Sequence, residues 1–407
     1  ATANWLSEYY LCSPAEAMRL FIPGKTSIKR QAVYNDEGKL IAYDYENKLK
    51  IKTRICFVVT KAGREALAAY NKRLLAQMHA LEVLAGAERP LSGEELAAVQ
   101  VSAATLRILC EKGWSERSEQ RVLRNSYANR TELKESLHLT DEQRQAVEAI
   151  GSAITEPHQE TFLLQGITGS GKTEVYLRAA AQAMEAGKQV LLLVPEIALT
   201  AQIVKRFQAW FGDEVAVAHS KLSQNERADV WYKMRTNSAK LLIGVRSAVF
   251  APFSDLGLII IDEEHESSYK QDERPNYHAR TVALKRAQLS GIPVVLGSAT
   301  PDLESFYKAR KGTYKHLRLL QRANGSMLPH VEIADMRLEL QRGNKSVLSA
   351  ALNDALLQTA VQGEQAIVLL NRRGFSTFVM CRDCGESIVC PHCAVALVYH
   401  SAGEAMR

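Results

Sequence analysis

Short apolar runs alternate with helical stretches between residues 136 and about 325. These runs are apolar on both faces: "TFLLQ" (161–165), "VLLLV" (190–194), "VAVAH" (215–219), "LLIGV" (241–245), "LIIID" (258–262) and "VVLG" (294–297). Strands that are hydrophobic on both faces and alternate with helices are typical of a buried parallel sheet. The pattern therefore predicts an α/β domain here, and "EQAIVLLNRRGF" (364–375) predicts the start of a second one.

The region from residue 25 to residue 135 mixes a strand-like segment, "RICFVVT" (54–60), with three short helical segments. The helical segments are "LLAQMHALEVLAGAE" (74–88), "SGEELAAV" (92–99) and "VSAATLRILCEKGWSERS" (101–118). The last predicted helix stops at Gly113, and residues 114–124 would form a following wing. This order is typical of a helix-turn-helix or winged-helix domain. A small helical domain that contacts no nucleic acid fits the same pattern.

The composition is that of a globular protein: of 407 residues, 46% are hydrophobic and 24% are charged. No apolar run approaches the length of a membrane span, and no signal-peptide pattern begins the chain. Because the first residue is Ala1 and not Met, we expect a chain that was processed or excised from something longer. A formal charge of +6 permits binding to polyanions without demonstrating it. The scattered Cys12, Cys56 and Cys110 favour a reducing cytosol over a disulfide framework.

The stretch "FLLQGITGSGKTEVYL" places a G-x₄-G-K-T motif directly after a predicted strand and directly before a predicted helix. Glycines there let backbone N–H groups cradle phosphates at the helix N-terminus. Lys172 would reach the β- and γ-phosphates, and the hydroxyl of Thr173 would bind Mg²⁺. A Gly-Ser-rich turn that only caps a helix fits the flanking elements less well. The nucleotide-binding candidates are Gly166, Thr168, Gly169, Ser170, Gly171, Lys172 and Thr173.

The stretch "LIIIDEEHESS" ends a buried strand at Asp262, so its carboxylates are expected at the carboxyl edge of the sheet. Asp262 is the candidate Mg²⁺ ligand, and Glu263 is the candidate that orients and deprotonates the attacking water. An acidic, solvated loop is the alternative, and the following His265 makes it less attractive. With the P-loop, the pair predicts hydrolysis of a nucleoside triphosphate, with Lys172 as the third catalytic candidate.

The stretch "GSATP" (297–301) follows another predicted strand. Ser298 and Thr300 are candidates to hydrogen-bond the carboxylate cluster and, with His265, to transmit the nucleotide state. By itself, a Ser-Ala-Thr-Pro turn after a strand is common, so this prediction depends on the order of the three motifs.

Two C-x₂-C pairs in "CRDCGESIVCPHC" (381–393) have the spacing at which thiolates hold zinc. Only five residues separate the pairs, whereas paired knuckles are ordinarily about 15–20 residues apart. The ligand candidates are Cys381, Cys384, Cys390 and Cys393. His392 and His400 are further candidate ligands. The four cysteines form either one cramped site or two half-sites.

The order of P-loop, DEEH and SAT resembles that of superfamily-two helicases, in which DEEH is a variant of the DEAH box. "GITGSGKTEVYL", "VPEIALTAQ", "IDEEHESSYKQ", "YHAR", "GSATP", "LNRRGF" and the cysteine pairs together resemble the PriA family, the bacterial primosomal replication-restart DNA helicases. This resemblance covers roughly residues 130 to 395. In addition, "LSEYYLCSPAEAMRLFIPG" (6–24) is similar to the end of that family's first DNA-binding domain.

The resemblance implies an α/β chain with five parts. These are the tail of an N-terminal DNA-binding domain (1–24), a winged-helix-like domain (25–135), a first RecA-like ATPase domain with a parallel sheet (136–325), the start of a second RecA-like domain (326–380) and a partial zinc region (381–400). The implied function is an ATP-dependent 3′→5′ DNA helicase of primosome assembly and replication restart. The implied cofactors are ATP, Mg²⁺ and Zn²⁺. The implied partners are forked and single-stranded DNA, primosome proteins and single-stranded DNA-binding protein. The implied location is the bacterial cytoplasm, at the nucleoid.

Family positions also assign residues, beginning with Gln143 as the side chain that reads adenine. The residues implied to contact the backbone of single-stranded DNA are Thr200, Gln202, Arg246 and Ser247. Val245 stands where the family pattern leads us to expect Thr. Ordinary loop polarity is the alternative for these positions.

The segment "SSYKQDERPNYHAR" (267–280) interleaves aromatic and cationic side chains, which suits stacking on bases and pairing with phosphates. In the family, this segment is an aromatic-rich loop that couples DNA binding to ATP hydrolysis, and Asn276 stands where family members often have Arg. A solvated loop with its tyrosine rings packed on the domain is the alternative. The DNA-binding candidates here are Tyr269, Lys270, Tyr277, His278 and Arg280.

In the family, two zinc ions are each held by four cysteines, so Cys381 and Cys384 would serve one ion and Cys390 and Cys393 the other. The helicase arginines that reach the γ-phosphate from the second domain are not found beyond Phe375. We therefore expect this chain to bind ATP and to hydrolyse it slowly by itself. Two other functions remain open: another translocase, acting on RNA or on duplex DNA in chromatin, and a fork-binding module with a dispensable ATPase.

Overall fold

The computed structural model describes residues 1–22, 28–34, 40–47, 53–69, 74–121, 138–156, 158–196, 201–323, 325–327, 329–344, 346–369, 386–393, 397, 399–400 and 405–406. The chain divides into two compact units, Ala1–Ser326 and Met327–Arg407. Each unit is described separately below. None of the helices in these ranges is long and apolar enough to cross a membrane.

The first unit begins with a helical pair and a small α+β region. The pair is α1 (Thr2–Tyr9) and α2 (Pro14–Arg19). The α+β region contains β1 (Ile28–Tyr34), β2 (Leu40–Asn47), β3 (Thr53–Val59), α3 (Lys61–Ala68), α4 (Leu75–Gly86), β4 (Leu91–Ser92), α5 (Gly93–Ala98), α6 (Ala103–Glu111) and β5 (Ser115–Arg121).

The three helices predicted between residues 74 and 118 are α4, α5 and α6. They enclose a small core, and β5 returns along β3 as an antiparallel strand, from Val59↔Ser115 to Thr53↔Arg121. Helix, turn, helix and returning strand form the winged-helix-like arrangement that the sequence indicates. Gly113 follows the last helix with φ +70°, a left-handed conformation that glycine adopts without strain.

A parallel sheet of seven strands forms the centre of the first unit, in the order β12-β6-β11-β10-β7-β9-β8. All six apolar runs predicted from the sequence are strands of this sheet. The seventh strand was not predicted, because "KHLRL" lies at the edge and is buried mainly at Leu319. The strands are β6 (Thr161–Gly166), β7 (Gln189–Leu193), β8 (Val215–Ala218), β9 (Leu241–Gly244), β10 (Leu256–Ile261), β11 (Val294–Ser298) and β12 (Lys315–Leu319).

Helices cover both faces of the sheet, because alternate strand residues point to opposite sides. Leu163 of β6 lies in one core with side chains of α10, α11 and α12, whereas Leu164 lies in the other core with α7, α8 and α9. This is the RecA-like α/β architecture that the sequence predicts. The helices are α7 (Asp141–Thr155), α8 (Lys172–Glu185), α9 (Ala201–Phe211), α10 (Gln224–Arg235), α11 (Ala279–Ser290) and α12 (Leu303–Arg310).

The N-terminal helical pair packs on the sheet face that carries α10 and α11. Leu6 and Ala17 are fully buried in that core, and the indole N–H of Trp231 donates to the carbonyl oxygen of Phe21 at 3.1 Å. The rings of Phe21 and Phe250 meet edge to face at 5.2 Å. Residues 1–22, expected as the tail of a preceding domain, thus contribute to the core of the ATPase domain.

The second unit contains α13 (Met336–Gln341), α14 (Ala350–Val361) and a two-residue antiparallel pair, β13 (Tyr399–His400) and β14 (Ala405–Met406). Residues 364–369, which the sequence predicts to begin a buried strand, are irregular, and Ile367 is 98% exposed. A buried strand needs hydrogen-bonded neighbours, and the described part of this unit supplies none for these residues. The remainder of that predicted strand, residues 370–375, lies outside the described residues.

Candidate nucleotide site and nucleic-acid interface

The P-loop, the DEEH segment and the SAT segment meet at one edge of the sheet. They follow β6, β10 and β11, which are neighbours in the order β6-β11-β10. Because parallel strands all end at the same edge, ligands of open α/β sheets bind there. The fold therefore brings together the three motifs that the sequence singled out.

The P-loop turns sharply from β6 into α8. Gly169 and Gly171 have φ +83° and +81°, conformations that favour glycine. The Lys172 ammonium donates to the carbonyl oxygen of Gly166 at 2.9 Å and lies 4.0 Å from Glu263 Oε1. The hydroxyl of Ser170 is buried and has no hydrogen-bond partner among the described residues. The P-loop lysine and the candidate catalytic glutamate thus face each other across the site.

Asp262 is held from two sides by buried tyrosines. The Tyr176 hydroxyl donates to Asp262 Oδ1 at 2.9 Å, and the Tyr269 hydroxyl donates to the Asp262 carbonyl oxygen at 2.7 Å. Burial raises the pKa of Asp262, and the charge of Glu263 adds to this, while Tyr176 and Lys172 oppose it. The carboxylate is thus oriented in a partly dry environment.

Glu263 has φ +44°, in the left-handed region that non-glycine residues seldom adopt. Such strain costs roughly 1–3 kcal/mol and clusters at active sites. The turn is closed by a hydrogen bond from the Glu266 N–H to the Glu263 carbonyl oxygen at 2.9 Å. This strained turn holds the Glu263 carboxylate towards Lys172.

These donor sets fit a nucleotide with magnesium. Carboxylate and hydroxyl oxygens, here on Asp262 and Thr173, are the ligands that Mg²⁺ prefers. The start of α8 presents backbone N–H groups and the positive end of a helix dipole, which suit phosphates. The hydroxyl of Ser170, which is buried and lacks a hydrogen-bond partner in the described part of the chain, is a further polar group in the same loop.

Gln143 lies against the P-loop. Its Oε1 accepts from the Thr140 N–H at 2.9 Å in the capping box that begins α7, and its Nε2 donates to the Ser170 carbonyl oxygen at 2.8 Å. A Cβ added to Gly171 would collide with that Nε2. Gln143 therefore braces the P-loop in this conformation, and reading of adenine by it stays a prediction.

The segment after β12 covers the other side of the P-loop, and the sequence analysis missed it. The Ala323 N–H donates to the Gly169 carbonyl oxygen at 2.9 Å, and the Ile167 N–H donates to the Leu319 carbonyl oxygen at 3.2 Å. The Arg322 side chain lies beside Gly169, and its Nε is buried without a hydrogen-bond partner among the described residues. No local pattern marks this arginine, because only strand order places it beside the P-loop.

Ser298 reaches the carboxylates through His265. Its hydroxyl lies 2.8 Å from His265 Nδ1, which in turn lies 3.7 Å from Glu263 Oε2. The Thr300 N–H donates to the Ser298 hydroxyl at 3.0 Å. The expected direct bonds from Ser298 and Thr300 to the carboxylates are absent among the hydrogen bonds of the described residues, and His265 bridges the gap.

The aromatic segment packs inward. Tyr269 is fully buried and Tyr277 is 3% exposed, and burial raises the pKa of Tyr277 to about 12. The ring of Tyr277 meets Phe250 edge to face at 4.8 Å. The predicted stacking of these two rings on bases is not met in this arrangement, because a base needs an exposed ring face to stack on and both rings are buried.

Arg246 is occupied by the same segment. Its guanidinium donates to the carbonyl oxygens of Ser268, at 3.0 Å, and of Lys270, and it bonds to the hydroxyl of Tyr277. The side chains of Arg246, Ser247 and Tyr277 line a cavity of about 180 Å³ with Pro195. Arg246 thus ties the predicted DNA-contact motif to the aromatic segment.

Several of the DNA-binding candidates are exposed or half-buried. Gln202 and Lys270 are exposed, and Ser247 and His278 are half-buried. The Lys270 ammonium donates to the Asn276 carbonyl oxygen at 2.6 Å. Thr200 lies outside the described residues. The prediction that these side chains contact DNA therefore concerns a surface that is only partly described.

Arg280 is not at this surface. Its side chain is 12% exposed and is paired with Glu264 and with Asp302, the latter at 2.8 Å. Its predicted contact with a DNA phosphate is not met here, because its donors are used inside the domain. The third DEEH residue, Glu264, is fully buried in this pairing, and the sequence analysis missed it.

The cysteine pairs are described only in their second half. The Cys390 sulfur accepts from the N–H groups of His392 and Cys393 and bonds to the Cys393 thiol, and these bonds lower the pKa of Cys390. Such a turn suits half of a zinc site. In the parts of the chain that the structure describes, no three His, Cys, Asp or Glu side chains converge as a metal site. Cys381 and Cys384 lie outside them, so zinc binding stays a prediction.

Comparison with known proteins identifies the family of this chain. Residues 140–308 match the model of the DEAD/DEAH box helicase family, and a helicase domain implies use of a nucleotide and Mg²⁺. The Replication restart protein PriA of Bacillus subtilis (strain 168) is 42% identical over 413 residues, which cover 97% of this chain and 51% of that protein.

Two further relatives carry the same name. The protein of Synechocystis sp. is 46% identical over 313 residues, which cover 75% of this chain and 37% of that protein. The protein of Chlamydia trachomatis serovar D is 37% identical over 408 residues, which cover 97% of this chain and 51% of that protein. The chain thus spans about half the length of most of the curated relatives it matches. It belongs to the PriA family of replication restart proteins, among the superfamily-two helicases.

Proposed function

We propose that this chain is the ATP-hydrolysing part of a DNA helicase that moves 3′→5′ along single-stranded DNA and restarts stalled replication forks. The observation that carries the proposal is the meeting of Lys172 and Glu263, 4.0 Å apart, at the sheet edge where the SAT segment also ends. The names of the relatives support the biological setting. The direction of movement follows from the family resemblance.

Each residue has a defined task in hydrolysis. The Lys172 ammonium neutralises charge on the β- and γ-phosphates. Asp262 and Thr173 would hold Mg²⁺, which would supply further positive charge to these phosphates. Glu263 accepts a proton from the attacking water. The water oxygen bonds to the γ-phosphorus as the bond to the β–γ bridging oxygen breaks, and ADP and inorganic phosphate leave.

The nucleic-acid strand would cross the cavity lined by Arg246 and Ser247. The Lys270 side chain is exposed and supplies a positive group for phosphates, and the exposed Gln202 supplies a polar one. Arg246 bonds to the aromatic segment at the carbonyl oxygens of Ser268 and Lys270. Because Tyr269 from that segment donates to the Asp262 backbone, a shift of the segment would reach the catalytic carboxylates.

For the cysteines, we propose two zinc half-sites, one formed by Cys381 and Cys384 and the other by Cys390 and Cys393. The turn at Cys390 supports this, since N–H donors to a ligand sulfur stabilise its thiolate. Measurement of zinc per chain in the full-length protein tests it: two ions are expected, and loss of one on Cys390→Ala. One ion per chain in the unaltered protein, or two ions that both persist in Cys390→Ala, would contradict two half-sites.

The decisive experiment measures ATP hydrolysis by the full-length protein with forked DNA, single-stranded DNA and RNA. Strong stimulation by forked DNA, lost in Lys172→Ala, is expected. Stimulation by RNA alone would favour a different translocase, and restart activity that survives Lys172→Ala would favour a fork-binding module. Duplexes with a 3′ or a 5′ tail report the direction of unwinding. Residues 1–407 alone, expected to be slow, are assayed beside the full-length protein.

We also propose that the protein recruits primosome proteins and single-stranded DNA-binding protein. It would act in the bacterial cytoplasm, at the nucleoid. The winged-helix-like region is proposed to bind DNA. A fall in its DNA affinity with rising salt would support phosphate contacts.

A further inference from the structure

The third acidic residue of DEEH forms the centre of a buried polar network. The Glu264 side chain has no exposed surface. Its Oε1 accepts from the Asp302 N–H at 2.8 Å, and its Oε2 accepts from the Ser305 hydroxyl at 2.9 Å. The remaining partner of Oε2 is the Arg280 guanidinium. A buried carboxylate with this many donors is fully satisfied.

Arg280 connects Glu264 to the segment after SAT. One terminal nitrogen bonds to Glu264 and to the Ser305 hydroxyl at 3.2 Å, and the other bonds to Asp302 Oδ2 at 2.8 Å. Burial opposes the charge of Arg280, yet the bonds from Glu264 and Asp302 raise its pKa above the ordinary value. The guanidinium fork therefore clamps two carboxylates in fixed geometry, which a lysine does not reproduce.

Three functional segments join at this clamp. Arg280 is the last residue of the aromatic segment and lies in the first turn of α11, two residues after His278. Glu264 directly follows Glu263, and its own N–H donates to the Gly297 carbonyl oxygen at 3.0 Å in the GSAT strand. Asp302 is the N-cap residue of α12, just beyond SAT. Movement of the aromatic segment is thus connected to Glu263 through a rigid, charged contact.

We infer that Glu264 and Arg280, with Asp302, are positioning residues that transmit DNA binding at the aromatic segment to Glu263. Arg280 then contributes no phosphate contact of its own. This role presupposes the DNA-stimulated ATPase proposed above. The predicted consequence is a change in DNA-stimulated turnover that leaves DNA affinity and turnover without DNA nearly intact.

The test uses the full-length protein with Glu264→Gln, Arg280→Gln, Arg280→Lys and the double variant Glu264→Gln/Arg280→Gln. Glu264→Gln keeps the shape of the side chain, and Arg280→Lys keeps the charge but not the fork. Lys270→Gln, an exposed cation of the same segment, is the matched comparison. For each, turnover without DNA, maximal turnover with DNA, DNA affinity against salt, and thermal stability are measured.

The expected result is a loss of DNA stimulation of about 5- to 150-fold, the usual range of coupling between two sites. DNA affinity and its salt slope should stay near those of the unaltered protein, and the double variant should be no worse than the singles, because the residues act as a unit. Lys270→Gln should instead weaken DNA binding and lower the salt slope by about one.

Three outcomes overturn the inference. A lower salt slope in Arg280→Gln would make Arg280 a phosphate contact. Equal losses with and without DNA, in step with thermal stability, would make the network a structural brace only, and Arg280→Lys with full stimulation would show that the fork is dispensable. If the unaltered protein shows no DNA stimulation, the proposed function itself fails and the inference with it.

Discussion

The hydroxyl of Tyr176, in the first turns of α8, lies 2.9 Å from Asp262 Oδ1 at the end of β10. The P-loop helix thus touches the candidate Mg²⁺ ligand directly, across residues 86 positions apart in the chain. A Cβ on Gly297 would collide with the same hydroxyl and would lie 2.8 Å from Tyr176 Cζ. The glycine of GSAT therefore leaves the space in which Tyr176 reaches Asp262.

Tyr176→Phe should raise the Mg²⁺ concentration needed for nucleotide binding. The removed hydroxyl orients the Asp262 carboxylate, and a hydrogen bond contributes about 0.5–1.5 kcal/mol, or about 2- to 12-fold. Mg²⁺ titration of binding by a fluorescent ATP analogue measures the change. Tyr314→Phe, which alters a buried tyrosine in the core on the other face of the sheet, is the control and should leave the titration unchanged. Equal titrations for both variants would contradict the assigned role of Tyr176.

Gly297→Ala should destabilise the first unit by about 1–3 kcal/mol, the usual cost of overpacking. The new methyl group would press on Tyr176, so the loss should be smaller when Tyr176→Phe is already present. Urea unfolding of the unaltered protein, the two single variants and the double variant gives the coupling free energy between Gly297→Ala and Tyr176→Phe. Gly93→Ala, where a Cβ would meet nothing within 4 Å, serves as the control, and strictly additive effects would contradict the contact.

Lys172→Ala and Glu263→Gln should separate binding from chemistry. Loss of the Lys172 ammonium removes a contact to the phosphates and should weaken nucleotide affinity as well as turnover. Glu263→Gln keeps the shape of the side chain but cannot accept the proton, so affinity should persist while turnover falls by about 10²–10⁴-fold. Equilibrium binding and steady-state hydrolysis are measured side by side. Equal loss of nucleotide affinity in both variants would contradict the assignment of phosphate binding to Lys172 and of proton acceptance to Glu263.

Arg322→Ala should weaken nucleotide binding by about tenfold or more, since a charge-assisted hydrogen bond contributes about 1.5–3 kcal/mol. A Cβ on Gly169 would lie 3.7 Å from Arg322 Cγ, so the guanidinium is beside the P-loop. Arg318→Ala, on the exposed side of β12, is the matched control and should bind normally. Should both variants keep full affinity, Arg322 serves only to cover the loop.

Acid should destabilise α11 through His278. Its Nδ1 accepts from the Arg280 N–H at 3.3 Å as the helix cap, and burial, with the charges of Arg280 and Lys270, lowers the pKa of His278. A lowered folded-state pKa means that the unfolded chain takes up the proton first. The stability from neutral His278 is therefore present above the ordinary pKa, about 6.5, and is lost as the pH falls below it.

His278→Asn supplies an acceptor that does not titrate, since Asn is a good N-cap. We therefore expect the urea midpoint of the unaltered protein to fall more between pH 7.5 and pH 5.5 than that of the variant. The histidines His219 and His316, whose pKa values are also lowered by burial, are common to both proteins and cancel in the comparison. Parallel pH profiles would mean that His278 stays unprotonated or does not cap the helix.

Local sequence alone was sufficient for the parts of the fold that depend on neighbours in the chain. Six of the seven central strands were predicted, because a strand buried on both faces is a continuous apolar run. The P-loop was equally clear, since its glycines, Lys172 and Thr173 must follow one another for a helix to begin on phosphates. The edge strand β12 was missed because one buried residue, Leu319, leaves almost no pattern.

Which candidate side chains reach a ligand depended on contacts between distant parts of the chain. Tyr269, Tyr277 and Arg280 have the chemistry of nucleic-acid contacts, yet packing on Asp262, Phe250 and Glu264 turns all three inward. Tyr176 and Arg322 also depend on contacts between distant parts of the chain, because the order of the strands places them at the nucleotide site. The sequence by itself determined the architecture and the order of the motifs, because these follow from local patterns. Only the tertiary structure decided burial and pairing, because a side chain's partners lie tens to hundreds of residues away.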